Sequence, residues 1–163
     1  DWGNIIDIQG FAGNFYLLDN LKNQIWKYVP VGSGFSDKST YLNSGVVADF
    51  SGVQRFLIDS SIWILKSGSE IDRFTAGSPD SFDVGGLDKN IQNITSFFVS
   101  SRTDNIYLLD APNSRIVVLK KNGQYVSQLQ GEKFKDAADF IVDEPSKKLY
   151  LLENNKIYII DLQ

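Results

Sequence analysis

Short runs of β-branched, aromatic and aliphatic residues recur along the chain, and each stops at Asn, Gly, Ser or Asp before a helix could form. Four of them align on an aromatic: NFYLLDNLKNQIWKY (14–28), SIWILKSGSEIDRF (61–74), NIYLLDAPNSRIVVL (105–119) and KLYLLENNKIYII (148–160). Each reads as a hairpin, two strands flanking a few turn residues. The marker aromatics Tyr16, Trp63, Tyr107 and Tyr150 lie 47, 44 and 43 residues apart. A period in the low forties matches one four-stranded propeller blade. Runs such as Tyr107-Leu108-Leu109 are apolar on both faces, which suits a strand sandwiched between neighbouring sheets. Leu108→Ala is therefore expected to cost about 2–5 kcal/mol.

An upstream strand precedes each hairpin: NIIDIQ (4–9), QRFLID (54–59), TSFFVS (95–100) and ADFIVD (138–143). These should be the innermost strands. Outer strands are expected at STYL (39–42), SFDV (81–84) and YVSQL (125–129). The pattern predicts an all-β fold: a β-propeller of fifteen strands, in blades at about 1–46, 47–90, 91–131 and 132–163, the last without its outer strand. Taken as one domain, 1–163, such a chain either closes tightly on four blades or is a section of a larger ring, and the larger ring is the expectation. Open edges would then invite self-association or pairing with missing blades.

Composition narrows the chemistry. Apolar residues make up 42% and aromatic residues 13%, enough for a core. The net charge of −4 is scattered, with no basic stripe, so nucleic acid is not an expected partner. No apolar run approaches the length of a membrane span, and no signal peptide is visible. There is no His, Cys or Met. The usual serine and cysteine triads and the common zinc ligand sets cannot be built. No cofactor or metal is expected. The missing initiator Met implies a processed product or a piece of a longer protein.

Within this frame, YLLDAPNSRIVVLKKNGQYV (107–126) resembles the NHL-type propeller repeat, through Asp110, Asn113, Arg115, Ile116 and Gly123. The first blade matches in part, with Asp19, Lys22, Gln24 and Ile25, while blades two and four shorten the turn. The whole chain is also similar to the propeller region of uncharacterised, membrane-anchored proteins of candidate-phyla bacteria, some of which carry a phosphatase-like module ahead of the propeller. That resemblance implies an extracytoplasmic, sensory or scaffolding setting. NHL-type propellers bind proteins, RNA or small ligands, and a few related ones are enzymes, so the fold leaves function open.

Two sets of polar positions compete as sites. The second strands end on Asp19, Lys66, Asp110 and Glu153, and the third strands begin with Gln24, Glu70, Arg115 and Lys156. Opposite charges across the turn (Lys66 with Glu70, Asp110 with Arg115, Glu153 with Lys156) point to hairpin-stabilising pairs, not a ligand ring. The starts of the inner strands hold Ile5, Arg55, Ser96 and Asp139, beside Asn4, Gln54, Thr95 and Ala138. Such positions approach the mouth of a central channel. Arg55, Ser96 and Asp139 are the candidate binding residues, suited to a polar or zwitterionic ligand; solvated strand ends are the plainer reading. No catalytic residue stands out.

The Gly-bearing loops GSGF (32–35) and GGLD (85–88) lack the phosphate-cradling pattern and read as turns. NIT (93–95) fits a glycosylation acceptor, and the Lys pairs at 120–121 and 147–148 read as solvated tips. The expected function is a non-catalytic binding scaffold that engages a protein, peptide or surface polysaccharide through one face. The alternative is a carboxylate-based carbohydrate-active or hydrolytic enzyme with its site at the channel mouth. A third is a purely structural spacer.

Overall fold

The structure, a computed structural model, describes residues 1–162. It is almost entirely β, in four blades of a β-propeller. The chain forms two compact units, Asp1–Ser81 and Phe82–Gln163. In the first unit, blade one consists of β1 (Ile5–Phe11), β2 (Asn14–Asp19), β3 (Gln24–Tyr28) and β6 (Ser39–Thr40), with the hairpin β4 (Pro30–Val31)–β5 (Gly34–Phe35) inserted before β6. Blade two consists of β7 (Val53–Ile58), β8 (Ile62–Lys66), β9 (Ile71–Thr75) and β10 (Ser78–Asp80). In the second unit, blade three consists of β11 (Ile94–Phe98), β12 (Asn105–Asp110), β13 (Arg115–Lys120) and β14 (Tyr125–Gln130). Blade four has three strands among the described residues: β15 (Ala137–Asp143), β16 (Lys148–Glu153) and β17 (Lys156–Asp161).

All neighbouring strands within a blade are antiparallel. Side chains therefore alternate between the face toward the following blade and the face toward the preceding one. In the first unit Tyr16, Leu18 and Ile25 of blade one share a core with Phe56, Ile62, Ile64 and Phe74 of blade two. In the second, Tyr107, Leu109, Ile116 and Val118 of blade three share a core with Phe140, Val142, Leu149 and Leu151 of blade four. Phe50 fills the first core edge-on to Phe74, with ring centroids 5.8 Å apart. Phe134, on the short 3-10 turn Glu132–Phe134, plugs the second. Tyr107, Leu108 and Leu109 are all buried, as expected of a middle strand.

Polar ties reinforce the second unit. Glu144, after β15, accepts hydrogen bonds from the Asp104 and Asn105 amides, from Asn105 Nδ2 and from the Tyr107 hydroxyl. Burial, aided by that carboxylate, pushes the Tyr107 phenol well above its usual range.

The fifteen blade strands stand where the sequence placed them, with one displacement. The outer strand of blade two is Ser78–Asp80, not 81–84. The Ala76-Gly77 turn, with φ of +49° and +80°, returns the chain immediately, and Pro79 then sits opposite Phe74. Proline is tolerated on an edge strand because its missing N–H is not needed there. The 81–84 stretch instead leads into the second unit, where Gly85 bridges to Gln124 on blade three. The GSGF loop turns the additional β4–β5 hairpin, where Phe35 lies 4.8 Å from the Phe15 ring.

Candidate functional site

Every first strand carries a bulge near its start. The register slips between Ile5 and Asp7, Val53 and Arg55, Ile94 and Ser96, and Ala137 and Asp139. Each slip leaves one extra residue out of the ladder: Ile6, Gln54, Thr95 or Ala138. A bulge of this kind bends the strand and re-aims the next side chain. The re-aimed residues are Asp7, Arg55, Ser96 and Asp139, and their cross-strand partners are all leucines: Leu18, Leu65, Leu109 and Leu152. Arg55, Ser96 and Asp139 are thus structural equivalents, as expected. Ile5 is not the fourth member: it lies one ladder step earlier, opposite Asp19, and Asp7 takes its place.

In the first unit, burial raises the Asp7 carboxyl above its usual range, against the opposing pull of the Ile8 amide, the Gln9 side chain and the Arg55 charge. The Ile8 amide donates to Asp7 Oδ1 at 2.7 Å. In the second unit the Ser96 hydroxyl donates to Asp139 Oδ1 at 2.7 Å, and the Phe140 amide donates to the same oxygen at 2.8 Å. Asp7 and Asp139 therefore do the same local work: each captures the amide of the residue that follows it, just past the bulge.

The charges at the hairpin turns are structural. Asp19, fully buried, accepts from the amides of Gly3, Asn4 and Lys22 and from Trp26 Nε1, at 2.7–3.0 Å. Asp110 captures the equivalent pair of amides, Gln92 and Asn93, together with Asn113 Nδ2 and Arg115 Nε. Each Asp thus pins the backbone leading into the first strand of its own blade. In blade two Lys66 contacts Glu70 and Asp72 at 3.2 and 3.1 Å. Burial disfavours its charge, but the two carboxylates outweigh burial and raise its pKa. In blade four the expected Glu153–Lys156 pair gives way to Lys133, whose Nζ lies 3.6 Å from Glu153. Lys133, carried on the Glu132–Phe134 turn, also sits over the Tyr158 ring, while Lys156 is exposed.

One feature of the surface is not marked by any sequence motif. The outward face of blade four carries a shallow cavity of about 220 Å³, lined by Asp139, Phe140, Ile141, Tyr150, Leu152 and Ile157. Asp139 is its carboxylate and the rest of its side chains are uncharged. Among the described residues no three His, Cys, Asp or Glu side chains gather as a metal site, and no helix is long and apolar enough to cross a membrane.

No protein-family model and no curated protein sequence matches the chain. Solved structures do match it in fold. PorZ, an essential bacterial surface component of the type-IX secretion system of Porphyromonas gingivalis, is 12% identical with a TM-score of 0.61, over 99% of this chain and 20% of PorZ. BBS1N, solved in complex with ARL6DN, is 12% identical with a TM-score of 0.54, over 100% of this chain and 55% of BBS1N. A streptogramin B lyase is 16% identical with a TM-score of 0.53, over 97% of this chain and 54% of the lyase. The chain therefore spans about a fifth of the first and about half of the other two, and what it shares with all three is the propeller fold.

Proposed function

We propose that the chain is a non-catalytic binding scaffold of NHL-like type, which engages a protein, peptide or surface polymer through the residues that follow the first-strand bulges. The observation that carries this reading is the repeated placement of Asp7, Arg55, Ser96 and Asp139 at one register position, each opposite a leucine. Four blades share an apolar framework there and differ in the polar side chain at that position: Asp7, Arg55 and Asp139 are half-buried, and Ser96 is buried behind Asp139, to which its hydroxyl is bonded. A rigid scaffold that varies its displayed groups is a common basis for recognition. The Asp110–Asn113–Arg115 arrangement supports the NHL-like assignment, since these motif residues form one hydrogen-bonded cluster. Among fold neighbours, BBS1N is solved bound to a protein, which favours a protein ligand, and PorZ is a bacterial surface component, which favours an extracytoplasmic setting.

The test is a peptide-display and glycan-array screen on the immobilised chain, followed by titration of the enriched ligand. Arg55→Ala and Asp139→Ala should each weaken that ligand at least about tenfold, roughly 1.4 kcal/mol, with the fold intact. Unchanged affinity in both would remove these residues from the site.

The raised Asp7 carboxyl favours a second reading, a hydrolase with Asp7 as its acid, because burial shifts this carboxyl in the direction that a general acid requires. Turnover of chromogenic glycosides, abolished by Asp7→Asn, would establish it; inactivity across the panel would dismiss it.

A further inference from the structure

Two faces of the molecule break the burial pattern of the repeat. In blade three the side chains facing the next blade include Leu109, Ile116 and Val118, and they are buried in the core shared with blade four. Their register equivalents in blade four are Leu152, Ile157 and Ile159. Those residues are exposed, Ile157 to 69% and Ile159 to 63%. The converse holds in blade one. The residues there that face away from blade two include Ile8, Phe15 and Leu17. Ile8 is 56% and Phe15 41% exposed, whereas their equivalents Phe56, Phe97 and Phe140, and Ile62, Ile106 and Leu149, are all buried.

The sequence at these positions is that of a blade junction, not of a solvated sheet. Ile141, Tyr150, Leu152, Ile157 and Ile159 on one face carry no charge, and neither do Ile8, Phe15, Leu17, Trp26 and Tyr28 on the other. The charges that border them already have partners: Asp139, opposite Leu152, accepts from the Ser96 hydroxyl and the Phe140 amide, and Lys38 lies 4.5 Å from the Trp26 ring centre. The Trp26 indole N–H is already bonded to Asp19, so burying that ring leaves no unmet donor. Isolated apolar residues on a surface are ordinary, but contiguous apolar faces mark interaction sites.

We propose that the exposed face of blade four is the seat of blade one of a second copy of this chain. Each copy carries both halves of the junction, at the register positions that its internal junctions use. The length agrees: BBS1N and the streptogramin B lyase contain about twice as much chain as the part this one matches. Two copies joined head to tail thus supply the length of chain found in those propeller structures. A head-to-tail junction formed twice about a two-fold axis closes on itself; one that fails to close builds filaments.

The test is the molar mass of the 163-residue chain by light scattering at tens of micromolar, against 18.3 kDa for one copy. The expected mass is double that value. Ile157→Lys and Phe15→Lys, on opposite faces, should each return the chain to the single-copy mass with an unchanged far-ultraviolet spectrum. A wild-type chain at the single-copy mass overturns the proposal. So does a dimer that survives either substitution, since that dimer uses some other surface.

Discussion

The Asp110 carboxylate accepts a hydrogen bond from Arg115 Nε at 3.0 Å, and both side chains are almost wholly buried. Arg115 also donates from Nη1 to Gln128 and from Nη2 to the carbonyls of Lys89 and Asn90, while Asp110 holds the Gln92 and Asn93 amides. The pair thus staples the 89–93 segment to the turn of blade three. Breaking a buried pair by removing one partner leaves the other charge uncompensated, at a cost of about 3–5 kcal/mol. Arg115→Ala and Asp110→Ala should each lose that much in urea unfolding, and the double variant should lose clearly less than their sum. Additive losses below about 1 kcal/mol each, the range of exposed pairs, would show that the staple does not hold.

Asp19 makes the first unit acid-sensitive. Burial works to raise its carboxyl, but the Trp26 indole and the Gly3, Asn4 and Lys22 amides outweigh burial and hold it well below the usual carboxylate range. A depressed folded-state pKa contributes stability above the unfolded value, near 3.9, and loses it as pH falls from there toward the folded value. Unfolding free energy should therefore decline below about pH 5. Asp19→Asn, less stable at neutral pH, should show a shallower decline between neutral pH and the acid limit. Parallel curves for the two proteins would exclude Asp19 as a source of the acid loss.

The strands were legible because alternation and a marker aromatic recur in each blade. The burial of Leu108 could likewise be read from a run apolar on both faces. Asp7 was not legible. The first strand was counted from Asn4, two residues ahead of its bulged Ile6, whereas the other three were counted from their bulged residues Gln54, Thr95 and Ala138, so the count reached Ile5 instead. The outer strand Ser78–Asp80 was hidden because Ser-Pro-Asp has little β propensity, and the Ala76-Gly77 turn, not the strand residues, dictates its pairing. The fates of Leu109 and Leu152 could not be told apart from sequence. Tyr-Leu-Leu followed by an acidic residue occurs at both, and only the presence of a covering sheet separates them.

Gly123 is required by space as well as by conformation. Its φ is +90°, and a Cβ placed there would lie 2.0 Å from the Asp83 carbonyl oxygen. That approach lets Gly85 bond to the Gly123 carbonyl and closes the bridge between the 83–85 segment and blade three. Gly123→Ala should cost at least about 1–3 kcal/mol from backbone strain alone, with hydrogen exchange at the Gly85 and Tyr125 amides accelerated selectively. Unaltered protection at those two amides would mean that the bridge is not formed in solution.

Leu109 and Leu152 offer a direct measure of what a covering blade contributes. They occupy one register position, opposite Ser96 and Asp139, and differ in exposure, 0% against 38%. Leu109→Ala should cost about 2–5 kcal/mol, through lost burial and the cavity left behind. Leu152→Ala, compared in the Phe15→Lys background so that self-association does not contribute, should stay within about 1 kcal/mol, because a truncated surface side chain leaves no cavity. Equal losses at the two positions would mean that the face of blade four is covered within a single chain, and the second copy would then have no seat.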